Sequence, residues 1–205
     1  WLKRCVFQSQ MGSLAEDDRP GLSVFSPPSI KCGDLELRLK MIDMNRGFEE
    51  LQAGLWDADQ QVAGLKGCYV FRSAEDNFHD MCSGAGAAVK ACASALFDAA
   101  GRPRPELQKR VSGRACSAGL LFLEELELAE DLRGGRRGLD FCAAVLRCLA
   151  GPLKRVTLAV CREEVQAATS LEHSGAGAGF GRAEAGGAAW LFLEPGAACA
   201  RLAGR

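Results

Sequence analysis

From Leu35 to Ile42 apolar and polar residues alternate, the period-two signal of a half-buried strand. Phe48 to Trp56 follows with a loose helical spacing. Gly64 to Ser73 carries Leu65, Cys68, Tyr69, Val70 and Phe71 and predicts a second strand bounded by glycine. Ala85 to Ala100 places Val89, Cys92, Leu96 and Phe97 three and four residues apart on one face of a helix, which Gly101, Pro103 and Pro105 end. A charged linker runs from Arg104 to Arg114, and Ala118 to Leu128 is the strongest strand signal in the chain. Gly138 to Ala150 predicts a helix with Leu139, Cys142, Val145, Leu146 and Leu149 inward, stopped by Gly151 and Pro152. Val156 to Cys161 reads as a buried strand, Glu163 to Leu171 as a short helix and Ala188 to Leu193 as a closing strand.

Strands alternating with helices predict an α/β fold in one domain, residues 34–196. Residues 1–33, with Pro20, Pro27, Pro28 and the acidic run Glu16 to Asp18, read as an irregular lead-in with a short helix near Leu14. Residues 197–205 read as a tail.

Composition narrows the function classes. The 205 residues are 48% hydrophobic and 25% charged, which suits a folded globular chain. A net charge of -1 supplies no basic field, so neither nucleic acid nor an anionic membrane is an expected partner. No apolar run approaches the ~20 residues of a membrane helix. The ten cysteines are scattered singly, without a C-x-x-C pair, and predict reduced thiols in a cytosolic or nuclear protein. None of the Cys and His spacings suits zinc, so no metal is expected.

The chemistry concentrates after the strongest strand. The strand runs out at Leu128, and the loop Arg133 to Gly138 opens directly into a helix. The first-turn N–H groups of a helix lack internal partners and attract anions. Gly134, Gly135 and Gly138 let a phosphate approach the backbone, while Arg133, Arg136 and Arg137 add charge. A surface turn whose arginines simply cap the helix is the competing reading. Within the strand, Leu121 and Leu123 are out of phase with Leu126 and Leu128, with Glu124 and Glu125 at the change. Either a β-bulge absorbs the slip, or Phe122 faces a second layer and no bulge exists.

From Leu128 to Leu139 the chain resembles the acetyl-CoA signature of the GNAT superfamily of N-acetyltransferases, R/Q-x-x-G-x-G/A, with Arg133 first and Gly138 last. The downstream order fits as well: a helix, the strand Val156 to Cys161, a short helix, Gly179-Phe180 and a strand through Trp190. The resemblance covers residues 118–195, and more loosely the strands at 35–42 and 64–73 and the helix at 85–100. It implies a mixed, mostly antiparallel sheet splayed between its fourth and fifth strands, with helices on both faces. It further implies that backbone atoms of Leu126, Glu127 and Leu128 hold a pantetheine arm. The amides from Gly134 through Gly135, Arg136, Arg137 and Gly138 to Leu139 would then hold the pyrophosphate of acetyl-CoA. The implied reaction is direct transfer of an acetyl group to an amine, the acceptor being a protein or a small molecule.

Three departures qualify it. Arg136 stands where the signature has glycine, and either obstructs the phosphate or grips it through its guanidinium. The chain's one tyrosine, Tyr69, lies far from the helix before Gly179-Phe180, where His173 stands instead of the usual acid. Residues 174–179 form a longer, glycine-rich connection. For the base, Glu124 and Glu125 are the candidates, with Glu125 preferred, and Glu127 is a third possibility. The alternative function is a catalytically inactive GNAT-like module that senses CoA or binds proteins. A Rossmann-like nucleotide binder would instead require parallel neighbours throughout the sheet. The pair His79 and Cys82, one helical turn apart, reads as chance proximity.

Overall fold

The computed structural model describes residues 23–26, 29–32, 34–44, 47–71, 77–112, 119–133, 137–149, 156–163 and 181–194. The element order is β1 (Ser23–Phe25), β2 (Ile30–Cys32), β3 (Leu35–Asp43), β4 (Phe48–Asp57), β5 (Gln60–Phe71), α1 (Phe78–Ala85), α2 (Ala87–Leu96), α3 (Pro105–Gln108), β6 (Gly119–Leu128), α4 (Arg137–Cys148), β7 (Leu158–Arg162), β8 (Gly181–Ala185) and β9 (Ala188–Leu193). The strands join one open sheet in the order β1-β3-β4-β5-β6-β7-β9-β8, with β2 also on β3. Among these strands only β6 and β7 pair in parallel; every other pair is antiparallel. That topology excludes the Rossmann-like alternative and makes the protein a mixed α/β chain with a large, mostly antiparallel sheet.

Two apolar layers hold it together. On one face Leu37, Leu39, Leu51, Ala53, Leu55, Leu65 and Leu121 meet Phe141, Cys142, Val145, Leu146 and Leu149 from α4 and its continuation. On the other, Phe48, Cys68, Val70, Leu120, Phe122 and Trp190 meet Phe78 and Cys82 of α1, Val89, Cys92 and Leu96 of α2, and Leu107 of α3. Helices thus cover both faces, but α1 to α3 cover only the end of the sheet that carries Phe48 and Val70.

This two-sided cover explains the clearest failure of pattern reading. Phe48 to Trp56 is a strand, not a helix. Leu51, Ala53 and Leu55 point to the α4 layer while Phe48 points to the opposite layer. Apolar positions on both faces break the simple alternation and imitate a helical spacing. The stretch read as an irregular lead-in also contributes strands: Val24 pairs with Ile42, and Ile30 with Leu37, so residues 23–25 and 30–32 extend the sheet. The helix expected over 85–100 is α2, which ends at Leu96; a further helix, α1, precedes it and is parted from it at Gly86, whose φ of 141° suits glycine. The charged linker contains α3, whose Pro105 opens the turn and whose Leu107 is buried. The short helix near Leu14, and all but Glu163 of the helix at 163–171, lie outside the described residues, as do residues 197–205. Among the described residues, no helix is long and apolar enough to cross a membrane.

Candidate functional site

Strand β6 carries the first unusual feature. Gly67 pairs with Leu123 and Lys66 with Glu125, so Glu124 is an extra residue opposite β5. This β-bulge restores the phase: Leu121, Leu123 and Leu128 are buried on the α4 face, with half-buried Leu126 against the same layer. Gly67 makes the bulge possible, since a Cβ there would lie 2.5 Å from the Phe122 carbonyl oxygen. Of the two readings the leucine phase allowed, the bulge is therefore realised. Phe122 does face a second layer too, that of α1 and α2.

Glu124 is half-buried at the bulge. Burial pushes its carboxyl above the usual carboxylate range, neighbouring Glu125 and Glu50 push the same way, and Lys66 opposes them. Glu125 sits differently. It is exposed and accepts a 2.6 Å hydrogen bond from the Lys66 ammonium, which raises the Lys66 pKa.

The second feature is a fork. Strand β6 pairs with β7 only from Leu120 to Leu123, ending at Leu123 and Cys161. Among the described residues, Glu125 to Leu128 pair on the β5 side alone, and Glu124 pairs on neither side. Just beyond, Ala129 donates its N–H to the Val62 carbonyl, and a short 3-10 turn spans Glu130–Leu132. Arg133 folds back, its Nε donating to the Leu128 carbonyl at 2.9 Å. Arg137, Gly138 and Leu139 then stand in the first turn of α4. Gly134, Gly135 and Arg136, the middle of the proposed phosphate loop, lie outside the described residues. Because β6, α4 and β7 form a strand–helix–parallel strand unit, the N-terminus of α4 follows the carboxyl end of β6, the end at which ligands bind in such units.

The third feature was not anticipated. Beyond the cover of α1 to α3, the same sheet face holds a groove of about 520 Å³ that includes Arg38, Lys40, Gln52, Gly54, Trp56, Gln61, Gly64, Lys66, Glu125 and Glu127 in its lining. Its size is that of a small-molecule site. Two glycines inside strands were the available signal, since interior strand glycines mark close approach. A Cβ on Gly54 would lie 2.6 Å from Trp56 Nε1, and one on Gly64 would lie 2.7 Å from Gln61 Nε2. The indole and the amide thus lie back over the sheet, and the Arg38 guanidinium stacks 4.7 Å from the Trp56 ring centre. Arg38 also donates to Glu36 at 3.0 Å, the main cause of that carboxyl's lowered pKa.

Other groups are poorly placed for nucleophilic chemistry. Cys68, Cys82, Cys92, Cys142, Cys148 and Cys161 are buried thiols. Burial pushes the Cys142 and Cys161 thiols up to about 12, so they stay protonated at neutral pH. Tyr69 is buried in the α4 layer. His79 is turned to the Asp98 carbonyl oxygen at 2.6 Å. His173 and Gly179-Phe180 lie outside the described residues. No metal-binding group of three or more His, Cys, Asp or Glu occurs among the described residues. No protein-family model, curated protein or solved structure matches the chain.

Proposed function

We propose that this protein is an acyl-CoA-dependent N-acyltransferase that moves an acetyl group from acetyl-CoA to an amine. The observation that carries the reading is the fork. Among the described residues, the bulged half of β6 has a strand partner on one edge alone, leaving main-chain donors and acceptors on the other, and the first turn of α4 follows within ten residues of Leu128. A pantetheine arm carries amides and can add to such an edge as a strand does. A diphosphate suits the first-turn N–H groups of α4, at Arg137, Gly138 and Leu139.

The acid–base assignment moves from Glu125 to its neighbour. A general base works best with a pKa near the operating pH, and burial shifts Glu124 in that direction. Glu125 is engaged by Lys66. In the reaction, Glu124 takes one proton from the acceptor ammonium, directly or through a water. The freed nitrogen lone pair attacks the thioester carbonyl carbon, forming the C–N bond as the C–S bond breaks. The second nitrogen proton passes to the departing thiolate, giving the amide and free CoA thiol.

A second reading, a GNAT-like module without turnover, is favoured by the burial of Tyr69, which removes the chain's one tyrosine as a proton donor at the fork. Titration with acetyl-CoA separates fold from function: ligand at 100 times its dissociation constant stabilises by about 2.7 kcal/mol. A thermal shift with thiol release in the presence of amines supports the enzyme, a shift without release supports the module, and no shift at millimolar ligand defeats both. Gly138→Trp is expected to abolish the shift.

A further inference from the structure

The groove on the open sheet face has a direction. Four strands cross it in two lateral rows, Lys40–Gln52–Lys66–Glu125 and Arg38–Gly54–Gly64–Glu127. At the β3 end both rows finish in a cation, Lys40 and Arg38. At the β6 end both finish in a carboxylate, Glu125 and Glu127. The middle of one row has no side chains, because Gly54 and Gly64 stand side by side, floored by the Trp56 indole and the Gln61 amide. Each end also holds an opposite charge, Glu36 on Arg38 and Lys66 on Glu125, but cations outnumber carboxylates at β3 and carboxylates outnumber cations at β6, so the groove is a polarised trough. Three inter-strand steps of about 4.8 Å separate its ends, roughly 14 Å along the backbone.

From this arrangement we infer that the acceptor is a zwitterion: a primary amine carrying an anionic group about 10 Å from its nitrogen, the length of an extended tripeptide. The inference rests on the acyltransferase reading for the reaction, but the groove's charge order stands apart from it. The ammonium lies at the β6 end, against Glu127 and the Lys66-paired Glu125, whose neighbour along the strand is Glu124 at the bulge. The anionic group lies between Lys40 and Arg38, where the guanidinium, already fixed against Trp56 and Glu36, presents its remaining donors. Reversed binding would set like charges against each other at both ends. A free tripeptide and the N-terminal segment of a protein with an acidic third residue share this chemistry.

The test is calorimetric titration of the full chain, without CoA, by Gly-Gly-Gly, its C-terminal amide and its N-acetyl form. Triglycine is expected to bind, with each blocked form about tenfold weaker or more, as loss of one charged hydrogen-bonded contact implies. In Arg38→Gln/Lys40→Gln, a surface variant whose fold is checked by circular dichroism, the acid and the amide should bind alike. A fourth probe, Gly-Gly-Asp-Gly-amide, distinguishes the sources: binding equal to triglycine points to protein N-termini, and binding of triglycine alone points to a free small acceptor. The inference is overturned if acid and amide bind alike to the parent, if no probe binds at millimolar concentration, or if the double variant keeps the discrimination. Selective binding without acetyl transfer would sink the enzyme reading and leave the groove intact. Transfer to triglycine that ignores Arg38 and Lys40 would do the reverse.

Discussion

Deleting one glutamate from the Glu124-Glu125 doublet gives the same product whichever is removed, and the structure makes an unusual statement about it. The surviving glutamate takes the place opposite Lys66, and every pair between β5 and β6, from Ala63–Leu128 to Phe71–Gly119, keeps its partner. Leu126 and Leu128 stay on the α4 face. The variant loses a half-buried carboxyl whose charged form burial disfavours. It should therefore fold with parental stability or slightly more, while losing the base and the local splay of the strand.

Deletion of Glu127 is the matched control. It shifts Leu128 by one position, out of the buried layer where it is 5% exposed. Exposing a buried leucine costs about 1.5–3 kcal/mol. For a chain of this size each kcal/mol moves Tm by roughly 2–4 °C, so the control should melt roughly 3–12 °C lower. Thermal unfolding by circular dichroism compares the two, and release of free CoA thiol with an amine acceptor reads turnover. If the doublet deletion melts as low as the control, the bulge argument is wrong. If it retains turnover, Glu124 is not the base.

Three further outcomes are expected. Gly67→Ala forces a methyl onto the Phe122 carbonyl and should cost about 1–3 kcal/mol in a denaturant titration; an unchanged midpoint would mean the strands are not as close as described. Glu124→Gln should raise Tm at pH 7 but not at pH 4. The folded-state pKa of Glu124 lies above its unfolded value, so this residue's contribution is full below the unfolded pKa and lost as pH rises through the folded one; a gain that is larger at pH 4 would contradict the sign. Arg133→Met removes the bond to the Leu128 carbonyl and should cost about 1 kcal/mol whether or not acetyl-CoA binds, measured by melting with and without ligand.

Much of the architecture was legible along the chain because local rules sufficed. Strand β3 alternates from Leu35 to Met41, β9 is bounded as its apolar run suggests, and α4 carries its apolar residues at helical spacing. The bulge was legible as one of two options, since a single-residue slip between leucine pairs leaves few ways to keep both inside. What local pattern could not resolve was which faces would be covered. Strand β4 imitates a helix because Phe48 turns to the layer opposite Leu51, Ala53 and Leu55, and that layer is built by α1 and α2, thirty and more residues downstream of Phe48. The lead-in strands β1 and β2 are three residues each, too short for periodicity to register, and they form because β3 is there to pair with them.

The candidate site divides the same way. Glu124, Glu125, Arg133 and Gly138 were visible because chemistry and position coincide within one stretch of chain. The groove was not, because Arg38, Gly54, Gly64 and Glu127 come from four strands that only pairing register sets side by side. Sequence by itself determined which segments alternate, which coil and where charge can accumulate, since those follow from each residue's own preferences. Tertiary structure alone decided which neighbours share a face and which of two adjacent glutamates is sheltered from water, since burial and cross-strand pairing are properties of the whole sheet.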